Sequence, residues 1–450
     1  MKNLEKTGLL DERREFVCLG GDKGGLKCES NSVAGAISQR ACVYCGARVV
    51  LNPITDAYHI IHGPIGCASY TWDLRGSLSS GSETYRNAFS TDLGEKDVIF
   101  GGGTKLAGAI DEIVEKFRPK LIFVYATCIV GVIGDDVEAI CKAAEKKYGI
   151  IVIPIKSSGF SGNKSTGYRL ACDALLELMS RAAPDEKTTG INILGDFNLS
   201  GEMWIINEYL RKIGVNIVSR ITGDATCEEL MRAPTASLNI VQCAGSMGYL
   251  ANSMEEIYGI PFIKVSFFGI EDTTSSLLRI AYALNSKTAI EKAKKFTAEK
   301  SAETARLIEP YKRLLCGKKA AIYVGGGYKA ISLIRQFREL GIETVMVGTQ
   351  TGKKDEYEVI RGLADPGTVI LDDANPAELE KFMRQTGADL LVGGVKERPL
   401  AYKLAVAFCD HNHERKQPLA GYDGAVNFAK EINMSVNSPV WGFLKEEAAV

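Results

Sequence analysis

Residues 120–149 read KLIFVYATC followed by IVGVIGDDVEAICKAAEKKYG, and this stretch decides the fold. A short apolar, β-branched run ends in a small polar turn and opens into a helical period, which is the grammar of a strand feeding a crossover helix. The pattern recurs in NILGDFNLS (192–200) with GEMWIINEYLRKIG, in SLNIVQCAGSMG (237–248) with YLANSMEEIYG, and in KKAAIYVGGGYK (318–329) with AISLIRQFRELG. The apolar runs are continuous, not alternating, so the strands are expected to be covered on both faces in mostly parallel sheets. In such sheets ligands bind beyond the carboxyl ends of the strands.

Working outward, RAAPDEKTTG (181–190) reads as a polar linker, and the charge-rich stretch 286–319 reads as long solvated helices. The expectation is an α/β protein of three Rossmann-like domains, at 42–189, 190–317 and 318–400. An N-terminal arm (1–41) and a C-terminal segment (401–450) are expected to pack on the first domain. The glycine triplets at 101–103 and 325–327 lack the spacing of a phosphate loop or dinucleotide fingerprint. Glycines at strand ends instead suggest close backbone approach to a bulky ligand.

With 450 residues, several cores are needed. The 54 Lys+Arg nearly cancel the 55 Asp+Glu, so no phosphate-neutralising surface is advertised and nucleic acid is not an expected partner. No apolar run approaches the ~18 residues of a membrane span, and the N-terminus lacks the apolar core of a secretory signal. A cytoplasmic protein is expected.

Twelve cysteines against four histidines is the unusual feature. Persistent disulfides are not expected in a reducing compartment, which leaves buried packing or soft metal ligation. Cys42 and Cys45 form the sole C-x-x-C pair, with no second pair downstream to complete a zinc site. Cys42, Cys67 and Cys128 fall at turns where helix N-termini favour a thiolate. An iron–sulfur cube wants four thiolates, so three dispersed cysteines suggest a fourth from a partner subunit.

Together HGPIGC (62–67), FSTDLGEKDVIFGGGTKL (89–106), CIVGVIGDD (128–136), QCAGSMGYL (242–250), GIPF (259–262) with FFGIEDTTSSLLRIA, and GYDG…NSPVW (421–441) resemble the α-type subunits of nitrogenase component one. The resemblance covers residue 40 to the end. Within that superfamily HERKQPLAGYDG and the loop GFSGNKSTGYR (159–169) are more similar to the cofactor-maturation scaffold than to the catalytic branch. It implies that Cys42, Cys67 and Cys128 ligate a 4Fe–4S cluster shared with a partner subunit, Cys45 being extra to the pattern. It implies that Cys243 anchors an iron–sulfur precursor of the iron–molybdenum cofactor, with molybdenum and homocitrate bound transiently. In the catalytic branch a histidine precedes the GYDG-like motif, whereas Ala420 stands here. His411 and His413 are provisional replacements. Arg75 matches a cofactor-facing arginine, and Tyr168 and Tyr328 occupy positions used there for substrate reduction. His62 is assigned to the turn it precedes or to the cluster's surroundings. The implied partners are a NifN-like β subunit in an α2β2 assembly, a NifH-type reductase, a NifB-type precursor donor and apo-nitrogenase as recipient. A nitrogenase-like reductase acting on a small substrate, and a metal-free binding protein, remain the alternatives at this point.

Overall fold

The computed structural model describes residues 11–22, 25–28, 41–71, 87–182, 186–412, 415, 417–441 and 443. Arg75 and His413 lie outside them. One compact unit spans Ala41–Lys264, and the other joins the described part of the N-terminal arm to the chain from Val265 onward. The first strand, β1 (Val17–Leu19), joins the last sheet of the chain.

In the unit Ala41–Lys264 the first sheet is parallel, in the order β3-β2-β4-β5, from β2 (Ala57–His62), β3 (Ala88–Ser90), β4 (Leu121–Ala126) and β5 (Ile151–Ile155). Both faces of β4 are buried: Leu121, Phe123 and Tyr125 enter one apolar cluster, Ile122 and Val124 another. That two-sided burial is why the run carries no polar alternation. The helices are α1 (Val43–Leu51), α2 (Ile65–Thr71), α3 (Glu95–Phe100), α4 (Gly103–Phe117), α5 (Cys128–Ile133), α6 (Val137–Tyr148) and α7 (Lys164–Ser180). The second sheet, also parallel, runs β7-β6-β8-β9 from β6 (Ile191–Asp196), β7 (Ile217–Thr222), β8 (Leu238–Val241) and β9 (Phe262–Lys264). Its helices are α8 (Glu202–Lys212), α9 (Cys227–Arg232) and α10 (Ala244–Tyr258).

The other unit holds a six-stranded sheet in the order β1-β12-β11-β10-β13-β14, built from β10 (Lys319–Val324), β11 (Glu343–Thr349), β12 (Val369–Asp372), β13 (Leu390–Gly393) and β14 (Ala407–Asp410). All pairings are parallel except the edge strand β1, which runs antiparallel to β12. Its helices are α11 (Gly269–Ala283), α12 (Lys287–Leu315), α13 (Gly327–Glu339), α14 (Lys354–Leu363), α15 (Pro376–Thr386), α16 (Arg398–Lys403) and α17 (Gly421–Val436).

The three mostly parallel sheets match the repeated sequence pattern, but three placements differ from it. The N-terminal arm belongs to the third sheet: Arg13, buried, pairs with Glu378 at 2.9 Å and donates to the Asp372 carbonyl at 2.8 Å, while Cys18 enters the core. The C-terminal segment also goes there, because Phe428, Ala429 and Ile432 on α17 need an apolar surface and find it on Ile308 and Leu315 of α12 and on the third sheet. Finally α11 and α12 pack on α13 and α17, so the unit begins near residue 265 and not at 318. The charged composition of 286–319 hid the apolar stripe of Ala289, Ala293, Ile308 and Leu315. Among the described residues no helix is long and apolar enough to cross a membrane.

Gly102 of the first glycine triplet and Gly327 of the second serve packing. A Cβ on Gly102 would stand 2.8 Å from Asp135 and from Leu93, and one on Gly327 2.7 Å from the Glu356 Cβ, so these glycines admit protein atoms. Beyond the end of β13, Glu397 is buried and accepts the Gly394 N–H at 2.8 Å. Burial pushes its carboxyl up to about 7, from an ordinary 4.5. Between those values the folded chain binds more protons than the unfolded one, so the protonated form's contribution is present below 4.5 and is lost as pH rises through 7. Glu397→Gln should therefore raise the denaturant midpoint at pH 8, by up to about 3 kcal/mol of unfolding free energy, and change it little at pH 4.5. Equal effects at both values would contradict this account.

Candidate metal-cluster sites

Three short elements bring the predicted thiols to the carboxyl edge of the first sheet. Cys67 is the third residue of α2, which follows β2, and Cys128 is the first residue of α5, which follows β4. The two strands are neighbours, with His62 opposite Ala126. Their ends are fastened where the Thr127 hydroxyl donates to the His62 carbonyl at 2.9 Å. Gly63 makes this possible, since a Cβ there would lie 2.0 Å from the Thr127 Oγ1. Cys42 is the N-cap of α1, with extended backbone and no side-chain capping bond. The turn Gly159–Ser161 after β5 closes the edge: Gly159 N–H donates to Cys128 Sγ at 3.1 Å, and a Cβ on Gly159 would stand 3.0 Å from that sulfur and 3.7 Å from the Cys42 Cβ. Cys42 and Cys128 thus flank one stretch of bare backbone.

The Cys67 thiol is pushed up chiefly by burial, then by the nearby Cys128 and Cys42 thiols, against a lowering contact with Thr127. A thiol held protonated in this way gives up its proton more readily when a metal cation binds it. His62 is not a ligand. Its ring is buried, with Nδ1 3.0 Å from Thr91 Oγ1 and Nε2 3.2 Å from Asp135 Oδ2, and burial lowers its proton affinity more than Asp135 restores it. Asp135 also accepts Gly102 N–H at 3.0 Å, so the histidine braces the turns beneath the thiols.

Helix α1 is set by a glycine crossing. A Cβ on Gly46 would meet the Lys164 carbonyl oxygen at 2.1 Å, and one on Gly167 the Val43 carbonyl oxygen at 2.0 Å. The backbones of α1 and α7 therefore touch one turn from Cys42. Helix α7 also packs on α10, where the Cys172 thiol donates to the Ser246 carbonyl at 3.4 Å. The N-cap of α10 is Cys243, at the end of β8. Gly195 of β6, at φ +86°, presses against it, since a Cβ there would lie 2.8 Å from the Cys243 Cβ. Tyr168 lies one helical turn before Cys172 on α7, half-buried, with the Lys164 ammonium 5.8 Å from its ring centroid.

Tyr328, His411 and Ala420 belong to the other unit. Tyr328 packs half-buried at the start of α13. His411 does not stand on a solvated turn: it follows β14, fully buried, its ring edge-on to Phe268 at 4.9 Å and Phe428 at 5.7 Å. Burial, with Lys329 and Arg415 adding to it, keeps the imidazole neutral. Lys329 donates to the His411 carbonyl at 2.8 Å. Ala420 is the buried N-cap of α17, fixed by Gly421 N–H donating to the Phe267 carbonyl at 2.6 Å.

Among the described residues no three His, Cys, Asp or Glu side chains close on one point as a mononuclear site requires. A cube suits the set better: its irons are separate atoms, so its thiolates stand apart around a cleared space of the kind Gly159 leaves. Four of the remaining cysteines are sealed in the core. Burial pushes Cys18 and Cys227 up to about 11 and Cys141 and Cys172 up to about 12, which marks inert core thiols.

A family model described as nitrogenase component 1 type oxidoreductase matches residues 42–437. The chain belongs to the nitrogenase component 1 family. It is 66% identical over 449 residues, 98% of each chain, to the "nitrogenase iron-molybdenum cofactor biosynthesis protein NifE" of Clostridium pasteurianum. The protein of the same description from Methanosarcina barkeri is 50% identical over 459 residues, 98% of this chain and 99% of its own. A solved structure titled "Nitrogenase Cp1 at pH 5" superposes with a TM-score of 0.88 at 30% identity, over 96% of this chain and 95% of the other. Membership of nitrogenase component 1 implies metal–sulfur clusters, and the thiol geometry fits them.

Gly46, Gly159, Gly167 and Gly195 were not singled out in the sequence, although a signal existed. Gly46 and Gly167 interrupt otherwise good helical patterns, VYCGARVV and KSTGYRLA, at a cost that asks for a close approach. Gly167→Ala should destabilise the unit by about 1–3 kcal/mol, since its methyl meets backbone. Gly108→Ala on α4, with nothing within 4 Å, should be neutral or stabilising. Denaturant titration of both variants checks this, and a neutral Gly167→Ala would refute the crossing.

Proposed function

We propose that this chain is the α-type subunit of a scaffold on which the nitrogenase iron–molybdenum cofactor is matured before transfer to apo-nitrogenase. The observation that carries the reading is the identity ranking: 66% and 50% over the whole length to proteins named for cofactor biosynthesis, against 30% to a nitrogenase structure. Ala420, where the catalytic branch is expected to have an imidazole, supports the same choice. The competing reading, a catalytic reductase of a small substrate, is not favoured.

In this reading the thiolates of Cys42, Cys67 and Cys128 hold three corners of a 4Fe–4S cluster, which supplies electron storage when bound. A cysteine of a NifN-like β subunit completes it. The elements that carry the thiols expose apolar side chains, Ile65 on α2 (56%), Val132 on α5 (67%) and Phe160 beside Gly159 (77%), as a face awaiting a protein partner does. The thiols give up their protons as they ligate. Gly159 N–H, already on Cys128 Sγ, stabilises that thiolate, and Asp135, His62 and Thr127 hold the strand ends that aim Cys67 and Cys128.

Cys243 takes the cargo, an all-iron precursor delivered by a NifB-type donor, through one sulfur. Tyr168 on α7 and Arg75 are proposed to meet its periphery, the arginine as a cation for an anionic cluster or homocitrate. One protein bond retains a cluster less firmly than two, which suits a chain that must release its product. The NifH-type reductase is the proposed electron source for molybdenum insertion.

Replacing Cys42, Cys67 or Cys128 singly by Ala should abolish the paramagnetic signal of the reduced cubane and loosen the heteromer. Cys243→Ala should keep that signal and fail to take up precursor iron. Full cubane intensity in all three variants of the first set, or normal precursor uptake by the Cys243 variant, would overturn the assignments.

A further inference from the structure

The pair Cys42-Val43-Tyr44-Cys45 contains one thiol that the cluster assignment leaves unused. Cys45 is the third residue of α1 and buried at 2% exposure, while Cys42 is exposed at the N-cap. The other two cluster thiols, Cys67 and Cys128, are half-buried, whereas Cys42 is exposed. Cys42 makes no capping bond to its helix. An oxidant therefore meets Cys42 first. Residues three apart on a helix have Cβ atoms about 5–6 Å apart, and a disulfide needs about 3.5–4.5 Å. The difference is small, and the N-cap residue, extended and outside the helix, is free to supply it by rotation. An exposed first thiol and a buried second one at a helix start is the arrangement of exchanging dithiols.

We infer that Cys42 and Cys45 form a reversible disulfide in the chain that carries no cluster, and that this bond withholds Cys42 from cluster assembly until it is reduced. The inference rests on Cys42 being a cluster ligand. The oxidant class is a small disulfide such as oxidised glutathione. The Cys42 sulfur attacks it, its S–S bond breaks, and one thiol leaves with the Cys42 proton. The Cys45 sulfur then displaces the second thiol, which takes the Cys45 proton. Two electrons pass from the cysteine pair to the oxidant, giving one protein disulfide and two small thiols.

The test treats the full-length, metal-free chain anaerobically with oxidised glutathione, maps linkages by peptide mass spectrometry, and then adds the NifN-like partner, iron and sulfide. The expected result is one peptide linked between Cys42 and Cys45, two hydrogens lighter, with assembly of the 4Fe–4S absorbance in the complex lowered about tenfold and restored by dithiothreitol. Cys45→Ala should assemble the cluster normally before oxidation and afterwards hold glutathione on Cys42. Linkage of Cys42 to Cys67 or Cys128, a lasting glutathione adduct in the unsubstituted chain, or a Cys42–Cys45 bond with undiminished assembly would each overturn the inference. Cys42→Ala, run alongside, separates the two claims: full assembly by that variant would refute the ligand assignment while the mapped disulfide stood unaffected.

Discussion

The approach of α1 to α7 through Gly46 and Gly167 is the constraint on which the rest of this unit depends. Carbonyl oxygens occupy the places where side chains would begin, at about 2 Å from the would-be Cβ atoms, so neither helix has room to slide. One end of that crossing positions Cys42 beside Gly159 and Cys128. The other end runs along α7 to Cys172 and α10, whose N-cap is Cys243. A single packed stack of three helices thus links the two thiol sites. Close-packed interiors transmit displacement with little loss, so the spacing between the sites is as fixed as the glycine contact itself.

Chemistry follows from which thiols the fold leaves at strand ends. The core cysteines Cys141, Cys172 and Cys409 are buried so that the proton stays on sulfur, Cys409 also donating to the Glu431 carboxylate at 3.4 Å. Cys42, Cys67, Cys128 and Cys243 instead stand in the first turns of helices at the sheet edges, and Cys128 Sγ accepts the Gly159 N–H. The same residue type is sealed in the core or left at a helix start by a few ångströms of backbone placement. His62 and His411 show the converse, since both are buried and neutral, one as a brace between Thr91 and Asp135 and the other as an aromatic core residue.

Much of this was legible in the sequence. Continuous apolar runs such as LIFVYA gave parallel strands because β4 is covered on both faces. The cysteines at strand ends were visible as turn residues, and their motifs carried the family. What was hidden was non-local. The arm around Arg13 reads as polar, and its partner Glu378 lies 365 positions away. Likewise α12 reads as solvated, although alanines and a few large apolar residues supply its buried stripe. His411 sits in a charged stretch, HNHERK, whose composition says loop while Phe268 and Phe428 enclose the ring. Short-range pattern reports periodicity, and these positions are decided by what a distant element brings.

The central claim is that the chain builds and releases a cofactor without using it. Its most direct test is molybdenum transfer. The chain and a NifN-like partner, purified together anaerobically and loaded with precursor, labelled molybdate, homocitrate, reductase and nucleotide, are mixed with apo-nitrogenase. The account predicts that label leaves the loaded complex and that dinitrogen reduction appears in the recipient in proportion to the label received. Label that stays on the loaded complex, together with turnover of a small substrate by that complex itself, would contradict it.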